Sequence, residues 1–68
     1  MNTILKHPTV NGCGTRTGEV QLINRGAVPQ PYMTCWHPDR DANPCWGHYF
    51  DDKLDAIDDF VFRARRGY

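Results

Sequence analysis

Hydrophobic and polar residues alternate most cleanly in "GEVQLIN", residues 18–24, where Val20 and Leu22 point one way and Glu19 and Gln21 the other. A two-residue period is the mark of a half-buried β-strand. "TILKHPTV", residues 3–10, reads as a strand before it, with Pro8 confining it to an edge or a bulge. Between them, "NGCG" at 11–14 is a turn, because Asn and Gly accept positive φ cheaply. "RGAVPQP", 25–31, is a loop whose Pro29 and Pro31 forbid continuous ladder bonding. "YMTCWH" at 32–37 and "CWGHYF" at 45–50 are aromatic-rich strands joined by the polar turn "PDRDANP".

After residue 50 the period changes. From Asp52 to Arg66, the apolar residues Leu54, Ile57, Val61 and Ala64 recur at helical spacing, with Phe60 flanking them. Asp51 is the predicted N-cap, with Asp52 in the first turn. Arg63, Arg65 and Arg66 complement the negative end of the helix dipole, and Gly67 supplies the stop. Several strands followed by one amphipathic helix predict an α+β fold. The expected form is an antiparallel sheet of three or four strands, with the C-terminal helix packed on one face through Leu54, Ile57, Phe60 and Val61. The whole chain, 1–68, forms a single small domain.

Length sharpens the question of what holds such a domain together. A chain of 68 residues buries only about 60% of the surface that it exposes when unfolded. Its core supplies roughly 3–5 kcal/mol, so small folds often add a metal, a disulfide or a partner. Charge is balanced, with eight basic and eight acidic residues. Phosphate neutralisation provides most non-specific nucleic-acid affinity, so this balance speaks against direct nucleic-acid binding. The opening "MNTILKHPTVNGCG" has too short an apolar run for a signal peptide, and no stretch approaches a membrane span. Three cysteines, Cys13, Cys35 and Cys45, cannot all pair internally. The expectation is a cytoplasmic protein with reduced thiols and no membrane partner. Met1 and the stop after Tyr68 are the ends expected of a complete small product.

"CWHPDRDANPCWGH", residues 35–48, concentrates the candidate metal chemistry. Cys35, His37, Cys45 and His48 are zinc-ligand types, and structural zinc takes four of them in tetrahedral array. Residues two apart in a strand share a face, whereas Cys45 and His48 are three apart. A regular hairpin therefore presents three ligands at most. A fourth requires a bulge near Gly47, or His7 or Cys13 from the N-terminal region. The plainer expectation is an ordinary hairpin, with Cys35 as a small buried hydrophobe. A Cys35–Cys45 disulfide is the third alternative.

Catalytic signals are weak. Cys13 in its Gly-rich turn with His7 upstream is a chance-level constellation, and "NGCGTRTG" lacks the Lys-Ser/Thr ending of a phosphate loop. Asp51, Asp52, Asp55, Asp58 and Asp59 fall off the apolar stripe and read as a solvated face. A non-enzyme is expected, working without a cofactor unless zinc fills the hairpin.

Two features suggest a contact surface instead. Phe62 falls opposite the Leu54/Ile57/Val61 stripe, where a core helix has no need of it. Arg63 and Arg66 lie close by, and aromatics and arginine dominate interface energies. Tyr32, Trp36, Trp46, Tyr49 and Phe50 exceed what one short helix covers, so Trp36 and Tyr49 on the hairpin form a second candidate contact. The expected function is stoichiometric binding to a larger protein or nucleoprotein complex, occluding or modulating it. Small self-contained chains of this style are common among phage and mobile-element accessory proteins, anti-CRISPR inhibitors among them. A homodimer and a zinc-stabilised regulatory or nucleic-acid-binding module are the alternatives.

Overall fold

The computed structural model describes residues 2–10, 17–38 and 45–68. Four antiparallel strands, β1 (Asn2–Val10), β2 (Thr17–Asn24), β3 (Tyr32–Pro38) and β4 (Cys45–Phe50), lie side by side in chain order. The helix α1 (Lys53–Arg66) packs on one face. The expected α+β architecture is present, with four strands. The turn expected at 11–14, Cys13 and most of the polar turn that carries Arg40 lie outside the described residues.

Alternation along the strands sorts residues between two clusters. Val20 and Leu22 of β2 and Trp36 of β3 are fully buried beneath α1, where Ala56 and Phe60 of the helix meet them. Ile4, Tyr32, Phe50, Ile57 and Tyr68 pack around this group. Ile23, Met33 and Cys35, pointing the other way, form a second buried cluster. Trp36 is the largest buried side chain of the first. Its indole Nε1 donates to Thr9 Oγ1 at 3.0 Å. Gly18 makes that seat possible: a Cβ there would lie 2.5 Å from the His37 carbonyl oxygen and 2.7 Å from the Trp36 ring.

Two irregularities bend the ladder. On β1 the register slips between Thr3 and Leu5, so Ile4 is the extra residue. On β4 it runs from Thr34↔His48 to Trp36↔Cys45, so Trp46 and Gly47 together oppose Cys35. Trp46 takes a left-handed φ of 54° at this bulge. The connection from β2 to β3 is tied internally: the Arg25 N–H donates to the Pro31 carbonyl at 2.7 Å, and its guanidinium to that of Gln30.

The helix corrects two expectations. Its N-cap is Asp52 rather than Asp51: the Asp52 carboxylate accepts from the Leu54 N–H at 2.7 Å. Gly67 caps the other end as expected, at φ 103°, with its N–H on the Arg63 carbonyl. The second correction concerns the buried face. Ala56, Phe60 and Arg63 face the sheet, whereas Leu54 is 70% and Val61 43% exposed. At 100° per residue, Leu54 and Val61 lie about 130–150° away from the buried line. Ala56 and Phe60 share one buried cluster with Trp36, Val20 and Leu22. Ile57 and Phe60 keep their expected contact with the core.

Core and surface substitutions should therefore separate in thermal melts. Phe60→Ala is expected to cost about 3–5 kcal/mol, and Gly18→Ala about 1–3 kcal/mol by overpacking against Trp36. Leu54→Ala should stay within about 0.5 kcal/mol of the parent in dilute solution.

Candidate functional site

A line of polar side chains runs beneath α1. The Arg63 guanidinium is fully buried, and its Nη1 donates to both the carbonyl and the hydroxyl of Thr34, at 3.0 and 3.1 Å. The Thr34 hydroxyl donates in turn to Asp59 Oδ2 at 2.5 Å. His48, directly across from Thr34 on β4, places Nδ1 3.0 Å from the same carboxylate oxygen. Burial lowers the Arg63 pKa from its ordinary value, with the Asp59 charge opposing that shift. Guanidinium begins so far above neutrality that it stays charged. Among the described residues, Arg63 Nε and Nη2 are buried with no hydrogen-bond partner. Thr34, Asp59 and His48 are the residue types of a catalytic triad, but their order is wrong for one. The carboxylate sits between hydroxyl and imidazole, so His48 has no contact through which to take the Thr34 proton. The arrangement is a structural bracket between helix and sheet.

The candidate zinc ligands divide between the two faces. Cys35 lies in the buried cluster with Ile23 and Met33, and His37 follows two residues later on the same side of β3. His48 faces α1 at Asp59. The β4 bulge does occur near Gly47, but it sets both Cys45 and His48 opposite residues of the helix-facing side, Trp36 and Thr34. Cys35 and His37 are thus on one face and His48 on the other. Among the described residues no group of three His, Cys, Asp or Glu side chains converges on one point. The Cys45 side chain lies outside the described set.

At the C-terminal end of α1, aromatic and cationic groups form a ladder whose two ends, Trp46 and Phe62, are exposed. Trp46, 53% exposed, sits with its ring centroid 5.5 Å from that of Trp36 below and 5.5 Å from that of Tyr68 beside it. The Arg66 guanidinium lies 4.5 Å from the Tyr68 ring centroid and 5.4 Å from that of Phe62. Its Nε and Nη2 donate to the Tyr68 main-chain oxygen, at 3.2 and 2.8 Å. The left-handed turn at Gly67 brings Tyr68 back to this place.

Of the residues expected to meet a partner, Phe62 and Arg66 are exposed and adjacent. Arg63 is corrected: it is inside, because its spacing to Ala56 and Phe60 puts it on the sheet-facing line. Trp36 is corrected too, reaching the surface only through Trp46 stacked on it. Tyr49 is half exposed on the opposite face, beneath the Arg25 guanidinium at 4.6 Å. The expected surplus of aromatics on that face reduces to Tyr49. Tyr32, Trp36, Trp46 and Phe50 all belong to the helix side. Sequence reasoning left Trp46 and Tyr68 out of the contact set and read Asp59 as solvated. The Trp46-Gly47 pair was the available signal, since a glycine inside a strand often marks a bulge.

No family model matches the chain, and neither a curated protein nor a solved structure shows significant similarity to it.

The bracket should show in stability. Asp59→Ala removes the acceptor of the Thr34 hydroxyl and the nearby opposite charge that offsets the burial of Arg63, and is expected to cost about 1–3 kcal/mol in denaturant titration. His48→Ala removes only an exposed partner and should cost less than about 1 kcal/mol.

Proposed function

We propose that this protein is a non-catalytic binding module that occludes or modulates a larger protein or nucleoprotein complex, using the Phe62–Arg66–Tyr68–Trp46 ladder as its contact surface. Trp46 is the observation that carries the reading. A non-glycine residue in the left-handed region costs about 1–2 kcal/mol, and Trp46 accepts that cost while leaving half its ring in water. A sheet built for stability alone would place a glycine there and a regular pair beside it. Strain of this kind concentrates at sites of recognition.

The chemistry of the ladder supports the same reading. Tryptophan, tyrosine and arginine are the residue types that anchor interfaces. Arg66 is already held between two rings and hydrogen-bonded to the main chain, so little side-chain entropy remains to be lost on binding. One cation among three aromatic rings suits an apolar protein patch with a carboxylate at its rim. A nucleic-acid backbone calls for several phosphate contacts, and the balanced charge of the chain offers little for them. Burial of Thr34 and the inverted order at Asp59 support a protein without a reaction of its own.

Capture from a lysate of the source cells by the immobilised protein tests the proposal. Phe62→Ala and Trp46→Gly should each lower recovery of a specific partner tenfold or more, while the melting temperature moves by no more than a few degrees. Glycine accepts the backbone conformation of Trp46 without strain, which offsets part of the lost ring packing. Equal recovery by the parent and both variants would remove the ladder from the contact. Turnover of a substrate by the isolated protein would overturn the binding-module reading itself.

A further inference from the structure

The ladder is one-sided in its hydrogen bonding. Tryptophan and arginine side chains donate and do not accept. Arg66 spends Nε and Nη2 on the main-chain oxygen of Tyr68, which takes up that acceptor as well. Arg66 Nη1 and the indole N–H of Trp46 have no acceptor among the described residues. Both side chains are exposed. The Trp46 and Tyr68 ring planes meet at 62° with centroids 5.5 Å apart. Such an edge-to-face pair leaves a corner between the face of one ring and the edge of the other.

We propose that this surface binds an extended, proline-rich segment of the partner protein, with a pyrrolidine ring in the Trp46–Tyr68 corner. The inference rests on the reading of the ladder as the contact surface and names what it contacts. Hydrogen-bond complementarity identifies the occupant. An ordinary main chain brings an N–H for every carbonyl, and burying it here would leave those N–H groups unpaired. Proline brings a carbonyl and no N–H, so a proline-rich chain is the acceptor-rich match for a surface whose unused groups are donors. The indole N–H of Trp46 and Nη1 of Arg66 each take a carbonyl of the segment. Aromatic side chains are the general means by which proteins hold such segments.

Spacing agrees with this occupant. The step from Trp46 to Tyr68 is 5.5 Å, and that from the Tyr68 ring to the Arg66 guanidinium is 4.5 Å. One turn of polyproline II takes three residues and rises about 9 Å, with its carbonyls free of internal bonds. Carbonyls one turn apart therefore reach both donors. Stiffness on each side limits the entropy lost, since Arg66 is already held and the segment is extended before it binds. A single nucleic-acid strand would also stack on these rings, but it needs a basic groove along its backbone. Arg66 is the one cation of the ladder.

Titration of the isotope-labelled full chain with decaproline, followed by NMR, tests the inference. The Trp46 indole N–H resonance should shift saturably at millimolar peptide, and a glycine–serine decapeptide should leave it in place. Trp46→Phe keeps a ring without the donor and should weaken binding severalfold, as should Arg66→Met. Trp46→Gly should weaken it tenfold or more, and Leu54→Ala should leave it unchanged. The spread of amide resonances reports in the same spectra that each variant is folded. Absence of a saturable shift in the parent overturns the inference, as does an equal response to the glycine–serine peptide or unchanged affinity in Trp46→Gly. Ladder-dependent capture of a lysate partner with no response to decaproline would overturn this inference alone and leave the contact surface standing. Loss of both would remove the surface as well.

Discussion

The buried guanidinium of Arg63, bonded twice to Thr34 in the centre of the sheet, fixes how α1 is turned about its own axis. Rotating the helix to bury Leu54 and Val61 instead would gain about 1.5–3 kcal/mol for each side chain. The chain forgoes that gain. In return it keeps Phe60 and Ala56 against Trp36, and it keeps Arg63, Thr34 and Asp59 in a bonded series. Opening that series would leave a buried charge uncompensated, which costs as much as the forgone burial. The observed rotation leaves both flanks of the helix outside, Phe62 on one and Leu54 with Val61 on the other.

The outer surface depends on the same core through Trp36. Gly18 and Thr9 seat the indole on the backbone of β2 and beside β1, and the β4 bulge then lays Trp46 over its edge. Gly67 ends the helix and returns Tyr68 to Trp46, while Arg66 spans from Tyr68 to Phe62. Four residues from two distant parts of the chain become one surface because a bulge and a helix cap point them there. Packing, local backbone geometry and the proposed contact are links in one physical series.

Period and punctuation made most of the fold legible. Val20 and Leu22 alternate with Glu19 and Gln21, prolines and glycines bound each strand, and Gly67 marks the helix end; all four strands and the helix follow from these. The face of the helix did not follow. Hydropathy favours Leu54 and Val61 over Ala56 and Arg63, and a buried arginine is invisible to any apolar count. Asp59 was misread for the same reason, since its partners Thr34 and His48 lie on other elements. The bulge at Trp46 breaks the two-residue alternation expected along β4. A one-residue insertion in a ladder leaves no periodic trace in six residues of strand.

That Arg63 and Thr34 act together, rather than as two separate packing residues, is the central physical claim. A double-mutant cycle of Thr34→Val and Arg63→Met, read by chemical denaturation, measures it directly. The account predicts that the two effects are non-additive, with a coupling of about 1–3 kcal/mol, as for residues in one hydrogen-bonded network. Additive losses, with coupling within about 0.3 kcal/mol of zero, would contradict it.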